Sequence, residues 1–171
     1  LVRGLHAPNG LAISGPNLFV SDVNTGIIGE YNAMTGAVVN ASLISDPAGP
    51  THLAISENDL FVVNPNANTI GKYDTDGTFI NTSFITGLDN PQQIAILGSS
   101  LYVANQNNGT ISEYDAATGA AINTSLIMGL NNPRGLTALG AELGCGEANG
   151  IIGEYDAASG QAINASLISG V

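Results

Sequence analysis

One position of the sequence carries a carboxylate or an amide each time it recurs. The residues at that position are Asp22, Asn64, Asn105 and Glu147. Their oxygens could bind a divalent metal ion, and the two histidines, His6 and His52, could add imidazole ligands. Neither histidine has a partner at a recognisable metal-binding spacing, and no Ser-His-Asp or Cys-His pattern occurs. The alternative is that these residues cap a turn through side-chain to backbone hydrogen bonds. We therefore expect no metal, no cofactor and no enzymatic activity.

A second set of candidates follows four recurring prolines, at positions 8, 50, 91 and 133. The residues that vary there are Asn9, Thr51, His52, Gln92, Gln93 and Arg134. Variation within a repeated context is typical of a ligand-binding surface. Drift at solvent-facing positions produces the same pattern, so both interpretations stay open.

A third motif, Asn-x-Ser or Asn-x-Thr, can carry an N-linked glycan in an exported protein. It begins at Asn40, Asn81, Asn108, Asn123 and Asn164. Alternatively, Asn and Ser two positions apart share one face of an edge strand, where polar side chains are solvated and discourage pairing with other chains. Carbohydrate is therefore one candidate partner.

These candidates are positioned by an internal repeat. The string "NASLIS" at Asn40 returns at Asn164, with "NTSFIT" at Asn81 and "NTSLIM" at Asn123 between them. The steps are 41, 42 and 41 residues. A second series, "IGEY", "IGKY", "ISEY" and "IGEY", has the same period. Four repeats follow, at 1–42, 43–83, 84–125 and 126–166, with 167–171 beginning the next.

Each repeat predicts four short strands. In the first repeat, "PNGLAIS", "NLFVSD", "GIIGEY" and "AVVNASLI" alternate or are rich in β-branched and aromatic residues, and Gly, Pro and Asn separate them. Four-stranded units of about 40 residues are typical of β-propeller blades. We expect an all-β propeller without helices, in which both faces of every blade pack against neighbouring blades.

The sequence resembles the NHL-type propeller repeats, in particular the low-complexity bacterial repeats of exported proteins that often end in a PEP-CTERM sorting signal. This resemblance covers all four repeats and implies an extracellular or cell-surface location. It would also place the residues after each proline at the mouth of a central channel. Virginiamycin B lyase and gluconolactonase-type propellers use a metal with His, Glu, Asn or Asp residues there, which would be the enzymatic alternative for this chain.

The fourth repeat departs from the other three. Gly144 stands where Phe19, Phe61 and Tyr102 stand, and Cys145 replaces a valine. Loss of a packed aromatic residue costs about 3–5 kcal/mol if nothing fills the space. A neighbouring molecule that covers this blade would be one explanation.

Charge excludes several partners. The chain of 171 residues has 3 Lys and Arg against 14 Asp and Glu, a formal net charge of −11. Such a surface repels nucleic acids and anionic membranes, and no apolar run is long enough to span a bilayer. With a single cysteine, no internal disulfide can form.

Both ends of the sequence belong to one phase of the repeat, because "LVRGL" at the start and "LISGV" at the end both match "LIMGL" at Leu126. In a closed four-blade ring these two ends would compete for one position. We therefore expect a segment of a longer array, or an assembly completed by further copies. The sequence predicts an exported structural or interaction module that associates with copies of itself, with a ligand-binding propeller as the alternative.

Overall fold

The computed structural model describes residues 2–46 and 48–170. The chain divides into two compact units, Leu1–Gly87 and Leu88–Val171. The first unit contains two blades of four strands. Blade 1 consists of β1 (Pro8–Ser14), β2 (Asn17–Asp22), β3 (Ile27–Asn32) and β4 (Val38–Ser45). Blade 2 consists of β5 (Leu53–Ser56), β6 (Asp59–Asn64), β7 (Thr69–Asp74) and β8 (Phe79–Ile85).

The second unit contains the other two blades. Blade 3 consists of β9 (Pro91–Leu97), β10 (Ser100–Asn105), β11 (Thr110–Asp115) and β12 (Ala121–Ile127). Blade 4 consists of β13 (Pro133–Leu139), β14 (Glu142–Glu147), β15 (Ile151–Asp156) and β16 (Ala162–Ser169).

Every blade is an antiparallel meander in which sequential strands are neighbours. The predicted all-β fold and the four repeats are therefore confirmed. One detail of the prediction is wrong, because a single 3₁₀ turn, Pro65–Ala67, is present among the described residues. It fits between β6 and β7 because Pro65 supplies the φ angle of a first helical residue and Asn68 ends the turn in the left-handed conformation.

The repeated Gly and Tyr of "IGEY" are explained by the third strand. Residues two apart in a strand lie on one face, and the ring of Tyr31 lies over Gly29. A Cβ atom at Gly29 would sit 2.7 Å from the Tyr31 hydroxyl. The same relation holds in blade 4, where a Cβ atom at Gly153 would sit 2.7 Å from Cε2 of Tyr155. The glycine therefore makes room for the tyrosine of its own strand.

Neighbouring blades pack through two different faces, which we call the isoleucine face and the tyrosine face. The isoleucine face of blade 1 carries Phe19, Ile28 and Ile44, with Ala12 and Leu43 at its margin. The tyrosine face of blade 2 carries Leu53, Leu60, Val62 and Tyr73, with Ile55 at its margin. Together these residues form one buried cluster. The isoleucine face of blade 1 therefore packs against the tyrosine face of blade 2.

The second unit repeats this arrangement. The isoleucine face of blade 3 contributes Ala95, Tyr102, Ala104, Ile111, Leu126 and Ile127. The tyrosine face of blade 4 contributes Leu136, Leu143, Cys145, Tyr155 and Ala157. Leu97 and Ala138 pack at the margin of this cluster. The interface between consecutive blades is therefore the same in both units, made from equivalent positions of the repeat.

The edge strands that end each blade are exposed at their first five residues, which include apolar side chains such as Val38, Phe79 and Ile122. The turns that precede them are held by one side chain. Asn32 Oδ1 accepts hydrogen bonds from the backbone N–H groups of Met34 and Thr35, at 3.1 and 2.8 Å. Asp156 Oδ1 accepts from the backbone N–H of Ser159 at 2.8 Å and from the Ser159 hydroxyl at 2.6 Å. The repeated Tyr-Asp/Asn thus places a turn-forming acceptor directly after the third strand.

Candidate functional site

The first candidate set does not form a metal centre in the first unit. Asp22 is buried and accepts backbone hydrogen bonds from His6 at 2.6 Å, Ala7 at 3.2 Å and Thr25 at 3.3 Å. Burial raises the pKa of Asp22, but these hydrogen bonds outweigh burial and hold the pKa below its usual value. His6 Nδ1 lies 3.8 Å from Asp22 Oδ2. The carboxylate therefore fixes the segment that leads into β1 and the turn after β2.

Asn64, the equivalent residue of blade 2, has a different partner. Its Nδ2 donates to Asp46 Oδ2 at 2.9 Å, and the hydroxyl of Tyr73 donates to the same oxygen at 3.0 Å. The backbone N–H of Ala48 donates to Asp46 Oδ1 instead of to Asn64. As a result, Asn64 Oδ1 has no hydrogen-bond partner among the described residues.

The second unit returns to the pattern of blade 1. Asn105 Oδ1 accepts from the N–H of Asp89 at 3.3 Å, and Glu147 Oε2 accepts from the N–H of Asn131 at 2.6 Å. In all three blades the donor lies 16 residues before the acceptor. The turn-capping interpretation is thus correct but incomplete. The donors are backbone N–H groups of residues of different types, so no sequence motif indicated this partner.

The structure does not bring Asn9 together with Thr51 and His52 in the first unit. Gly10, next to Asn9, donates its N–H to Ser21 Oγ at 2.8 Å, and the Ser21 hydroxyl donates to the carbonyl of Thr51. A side chain at Gly10 would collide with that carbonyl group and with Cα of His52. Gly10 therefore permits β1 and the Thr51–His52 segment to approach closely, whereas Asn9 lines a cavity on the tyrosine face of blade 1 with Leu11 and Val20.

The second unit joins its own members in a similar way. Gln93 Oε1 accepts from the backbone N–H of Leu136 at 3.2 Å, and Gln92 Nε2 donates to Asn90 Oδ1 at 2.9 Å. Arg134 is exposed, and its guanidinium lies 2.8 Å from the side-chain amide of Gln106 when the amide oxygen faces it. The Gln93 side chain therefore links blade 3 to blade 4. A ligand-binding role for the set stays a prediction.

Four of the five predicted glycosylation motifs lie on exposed edge strands, and the fifth, at Asn108, lies in the exposed turn between β10 and β11. The Oδ1 atoms of Asn40, Asn81, Asn123 and Asn164 each accept from the backbone N–H two residues later, at 3.0–3.1 Å. Asn108 differs, because its Oδ1 accepts from the Thr110 hydroxyl at 2.8 Å. The shared bond gives the Asn-x-Ser pattern a local structural role, and glycan attachment stays a prediction.

The most distinctive surface was not expected from the sequence. We predicted that both faces of every blade are covered, but one face of blade 1 and one face of blade 4 are open. On the tyrosine face of blade 1, Leu11 is 63% exposed and Ile13 is 65% exposed. Their equivalents in blade 2 are Leu53, which is 8% exposed, and Ile55, which packs at the margin of the buried cluster.

Blade 4 exposes the opposite kind of face. Leu139 is 81% exposed and Ile168 is 44% exposed, whereas Ile44 and Ile127, the equivalents of Ile168, are buried. Gly144 leaves this face without the aromatic residue of the other blades, and a Cβ atom there would sit 2.9 Å from Cγ2 of Thr137. The loss of the aromatic side chain affects only the isoleucine face of blade 4. On the tyrosine face of the same blade, Leu143 and Cys145 are fully buried.

Two acidic side chains share the open face of blade 4. Glu142 and Glu154 lie on it by strand alternation with Gly144 and Ile152. Partial desolvation raises the pKa of Glu154, and the charge of Glu142 and a hydrogen bond with it raise that pKa further. The face is therefore both apolar and negatively charged.

Two kinds of site are absent from the part of the chain that the structure describes. Within residues 2–46 and 48–170, no group of three or more His, Cys, Asp or Glu side chains is placed to hold a metal ion. In the same ranges, no helix is long and apolar enough to cross a membrane.

Comparison with known proteins shows the fold. No protein-family model and no curated protein matches the chain. Among solved structures, it is similar to the computationally designed protein Ika4, with a TM-score of 0.69, 16% identity, and coverage of 91% of this chain and 95% of that one. It is similar to streptogramin B lyase, with a TM-score of 0.73 and 21% identity over 91% of this chain. It is also similar to a gluconolactonase from Xanthomonas campestris, with a TM-score of 0.75 and 16% identity over 93% of this chain.

The chain spans 53% of the length of the lyase and 61% of the gluconolactonase. It spans 48% of a second designed protein, Ika8. These comparisons correct the expectation that the chain is not an enzyme, because two proteins that share its fold are enzymes. The propeller part of the predicted resemblance is confirmed, and the narrower NHL and PEP-CTERM assignment stays a prediction. At these identities the likeness shows the fold alone: the chain consists of four β-propeller blades.

Proposed function

We propose that the chain is a structural module that associates with copies of itself, exported to the cell surface or an extracellular matrix. A single observation carries this proposal: apolar positions that are buried or half-buried in other blades are exposed on blade 1 and blade 4. Leu11 and Ile13 mark one open face, and Leu139 and Ile168 mark the other.

Exposed apolar area of this kind favours association. Complete burial of one Leu or Ile side chain stabilises by about 1.5–3 kcal/mol, and contiguous exposed patches usually mark interaction sites. The rest of the surface opposes non-specific aggregation, since the net charge is −11. Association through these two faces and repulsion elsewhere would give ordered contacts between copies.

The exposed edge strands support the extracellular part of the proposal. β16 is exposed along its whole length, and the Asn-x-Ser motifs of all four blades are exposed. Such a surface is available to glycans. Intact mass of the protein isolated from its source, before and after treatment with an N-glycosidase, tests this: we expect the enzyme to lower the mass. An unchanged mass would contradict N-glycosylation.

The association itself is tested by sedimentation velocity over roughly a hundredfold range of protein concentration. We expect the average mass to rise with concentration and to fall again on dilution. High salt should leave the association intact or strengthen it, because apolar contacts are not screened. A mass of one chain at every concentration would overturn the proposed function.

The likeness to two enzymes favours a second candidate, a lyase or lactonase activity. Streptogramin B and glucono-lactone are the probes that the names of the similar proteins supply. Turnover should be measured with and without added divalent metal, and in a His52→Ala variant, because His52 is the histidine among the candidate residues that follow the recurring prolines. Turnover that His52→Ala abolishes would support this candidate. Equal turnover in the variant and the parent would count against it.

A further inference from the structure

The interface between consecutive blades supplies a template for contacts between copies. In each unit, an isoleucine face covers the tyrosine face of the next blade. Ile44 of blade 1 packs in one cluster with Leu53 and Leu60 of blade 2. Ile127 of blade 3 packs in the equivalent cluster with Leu136 and Leu143 of blade 4. The repeat therefore encodes one kind of interface, used twice within the chain.

The two open faces are the two halves of that same interface. Blade 1 lacks a cover on its tyrosine face, and blade 4 has an uncovered isoleucine face. Leu11 and Ile13 occupy the positions of Leu53 and Ile55. Ile168 occupies the position of Ile44, and Leu139 occupies that of Leu97, which packs at the blade 3–blade 4 interface. One copy thus exposes both halves of the interface, an isoleucine face on blade 4 and a tyrosine face on blade 1.

Charge favours pairing of unlike faces over pairing of like faces. Two blade 4 faces brought together would place Glu142 and Glu154 of each copy in one desolvated contact, and buried like charges are strongly unfavourable. The tyrosine face of blade 1 carries no such pair. Arg3 and Asp22 both line a cavity of about 210 Å³ over that face, together with Val20 and Tyr31, so one charge of each sign lies there. The acidic face of blade 4 therefore meets less like charge on the tyrosine face of blade 1 than on a second copy of itself.

The segment before β1 shows how the tyrosine face accepts a cover. Val2 and Leu5 line an open cavity of about 490 Å³ with Leu11, Leu18 and Val20. In the repeat, Val2 is the equivalent of Ile44 and of Ile168. It therefore partly fills the position that Ile44 fills on blade 2, yet Leu11 and Ile13 stay exposed. An incoming Ile168 would compete with Val2 for this position.

From these contacts we infer that copies of the chain join head to tail. The isoleucine face of blade 4 in one copy seats on the tyrosine face of blade 1 in the next copy, and Ile168 displaces Val2 of the second copy. This inference rests on the proposed self-association and specifies its partner surface. Head-to-tail contacts close into rings or continue as filaments.

A complementation experiment separates head-to-tail from face-to-face association. Ile13→Glu places a charge on the tyrosine face of blade 1, and Leu139→Glu places one on the isoleucine face of blade 4. Both side chains are exposed, so both variants should fold, which circular dichroism checks. Met34→Glu is the control, because Met34 is 93% exposed in a turn outside both faces.

Each variant alone should be monomeric at concentrations where the parent and Met34→Glu associate, with affinity reduced at least about tenfold. An equimolar mixture of the two variants should form a dimer of one Ile13→Glu and one Leu139→Glu chain. The dimer arises because each variant retains the face that the other lacks, and it cannot grow further. Native mass spectrometry identifies this composition.

Other outcomes separate the inference from the proposed function. If Ile13→Glu or Leu139→Glu alone forms dimers and no larger species, like faces pair, and head-to-tail joining is wrong while self-association stands. If both variants associate as the parent does, another surface is responsible and the inference fails. If the parent is monomeric throughout, the proposed function fails with it. Deletion of residues 1–2 gives an independent check, since it should strengthen association by removing the competing Val2.

Discussion

At the scale of single residues, Asp22 shows how the repeat uses a carboxylate that could have suggested a metal site. Its oxygens hold the N–H groups of His6, Ala7 and Thr25. Asp22→Ala should lower the free energy of unfolding by about 2–3 kcal/mol, because buried donors lose a charged acceptor. Urea denaturation measures this. Asp22→Asn, which keeps one acceptor oxygen, should lose less; equal losses in the two variants would contradict the assigned role.

The lowered pKa of Asp22 also predicts a pH dependence. Because the folded-state pKa is below the unfolded value of about 3.9, ionised Asp22 stabilises the fold above that pH. This contribution disappears as pH falls through the lower, folded-state pKa. The stability difference between the parent and Asp22→Asn should therefore be constant from neutral pH to about pH 5 and should narrow below about pH 4. A difference that persists unchanged in acid would show that the charge is not the cause.

Gly10 is required by close packing and not by an unusual backbone angle. A Cβ atom there would collide with the Thr51 carbonyl, which is backbone and cannot rotate away. Gly10→Ala should therefore cost about 1–3 kcal/mol. Gly135, the equivalent in blade 4, has its nearest neighbour at 3.5 Å from the added Cβ. Gly135→Ala should change stability by less than about 1 kcal/mol. Similar losses in both variants would refute the packing explanation.

At the scale of elements, blade 4 differs from its neighbours in only one of its faces. Cys145 is fully buried on the tyrosine face, at a position that Val20, Val62 and Val103 fill in the other blades. Cys145→Val should therefore change the free energy of unfolding by less than about 1.5 kcal/mol. Thermal denaturation of the variant checks this. A larger loss would mean that the thiol has a role beyond filling space.

The environment of Cys145 also predicts low reactivity. Burial and the nearby charge of Glu147 raise the pKa of the thiol to about 12, and only the thiolate is nucleophilic. Iodoacetamide should label Cys145 only when urea unfolds the chain, as intact mass would show. Rapid labelling in native buffer would mean that blade 4 opens readily.

At the scale of the whole molecule, the open faces predict a concentration-dependent melting temperature. Association stabilises the native state by mass action, so the melting temperature of the parent should rise with protein concentration. That of Ile13→Glu should not change, and Met34→Glu should follow the parent. Differential scanning calorimetry measures all three. A melting temperature independent of concentration in the parent would contradict association of the folded chain.

The sequence by itself determined the strands, the blades and their repeat. Period-two alternation in "GLAIS" and the turn chemistry of "YDAATG" are local, so they can be seen in the order of residues. The same locality explains why the edge-strand position of Asn40 could be predicted. The hydrogen bond from the Ser42 N–H to the Asn40 side chain was not predicted, although the Asn-x-Ser motif includes Ser42.

The tertiary structure decided which apolar faces are covered. Leu11 and Leu53 are the same residue in the same context, yet one is exposed and the other buried. The difference arises from packing between blades, because Leu53 lies in one cluster with Phe19, Ile28 and Ile44 of the preceding blade. Burial is a property of the neighbour and not of the residue. For the same reason, the 16-residue contact of Asp22 with His6 and the competition between Val2 and Ile168 emerge only when the strands are packed together.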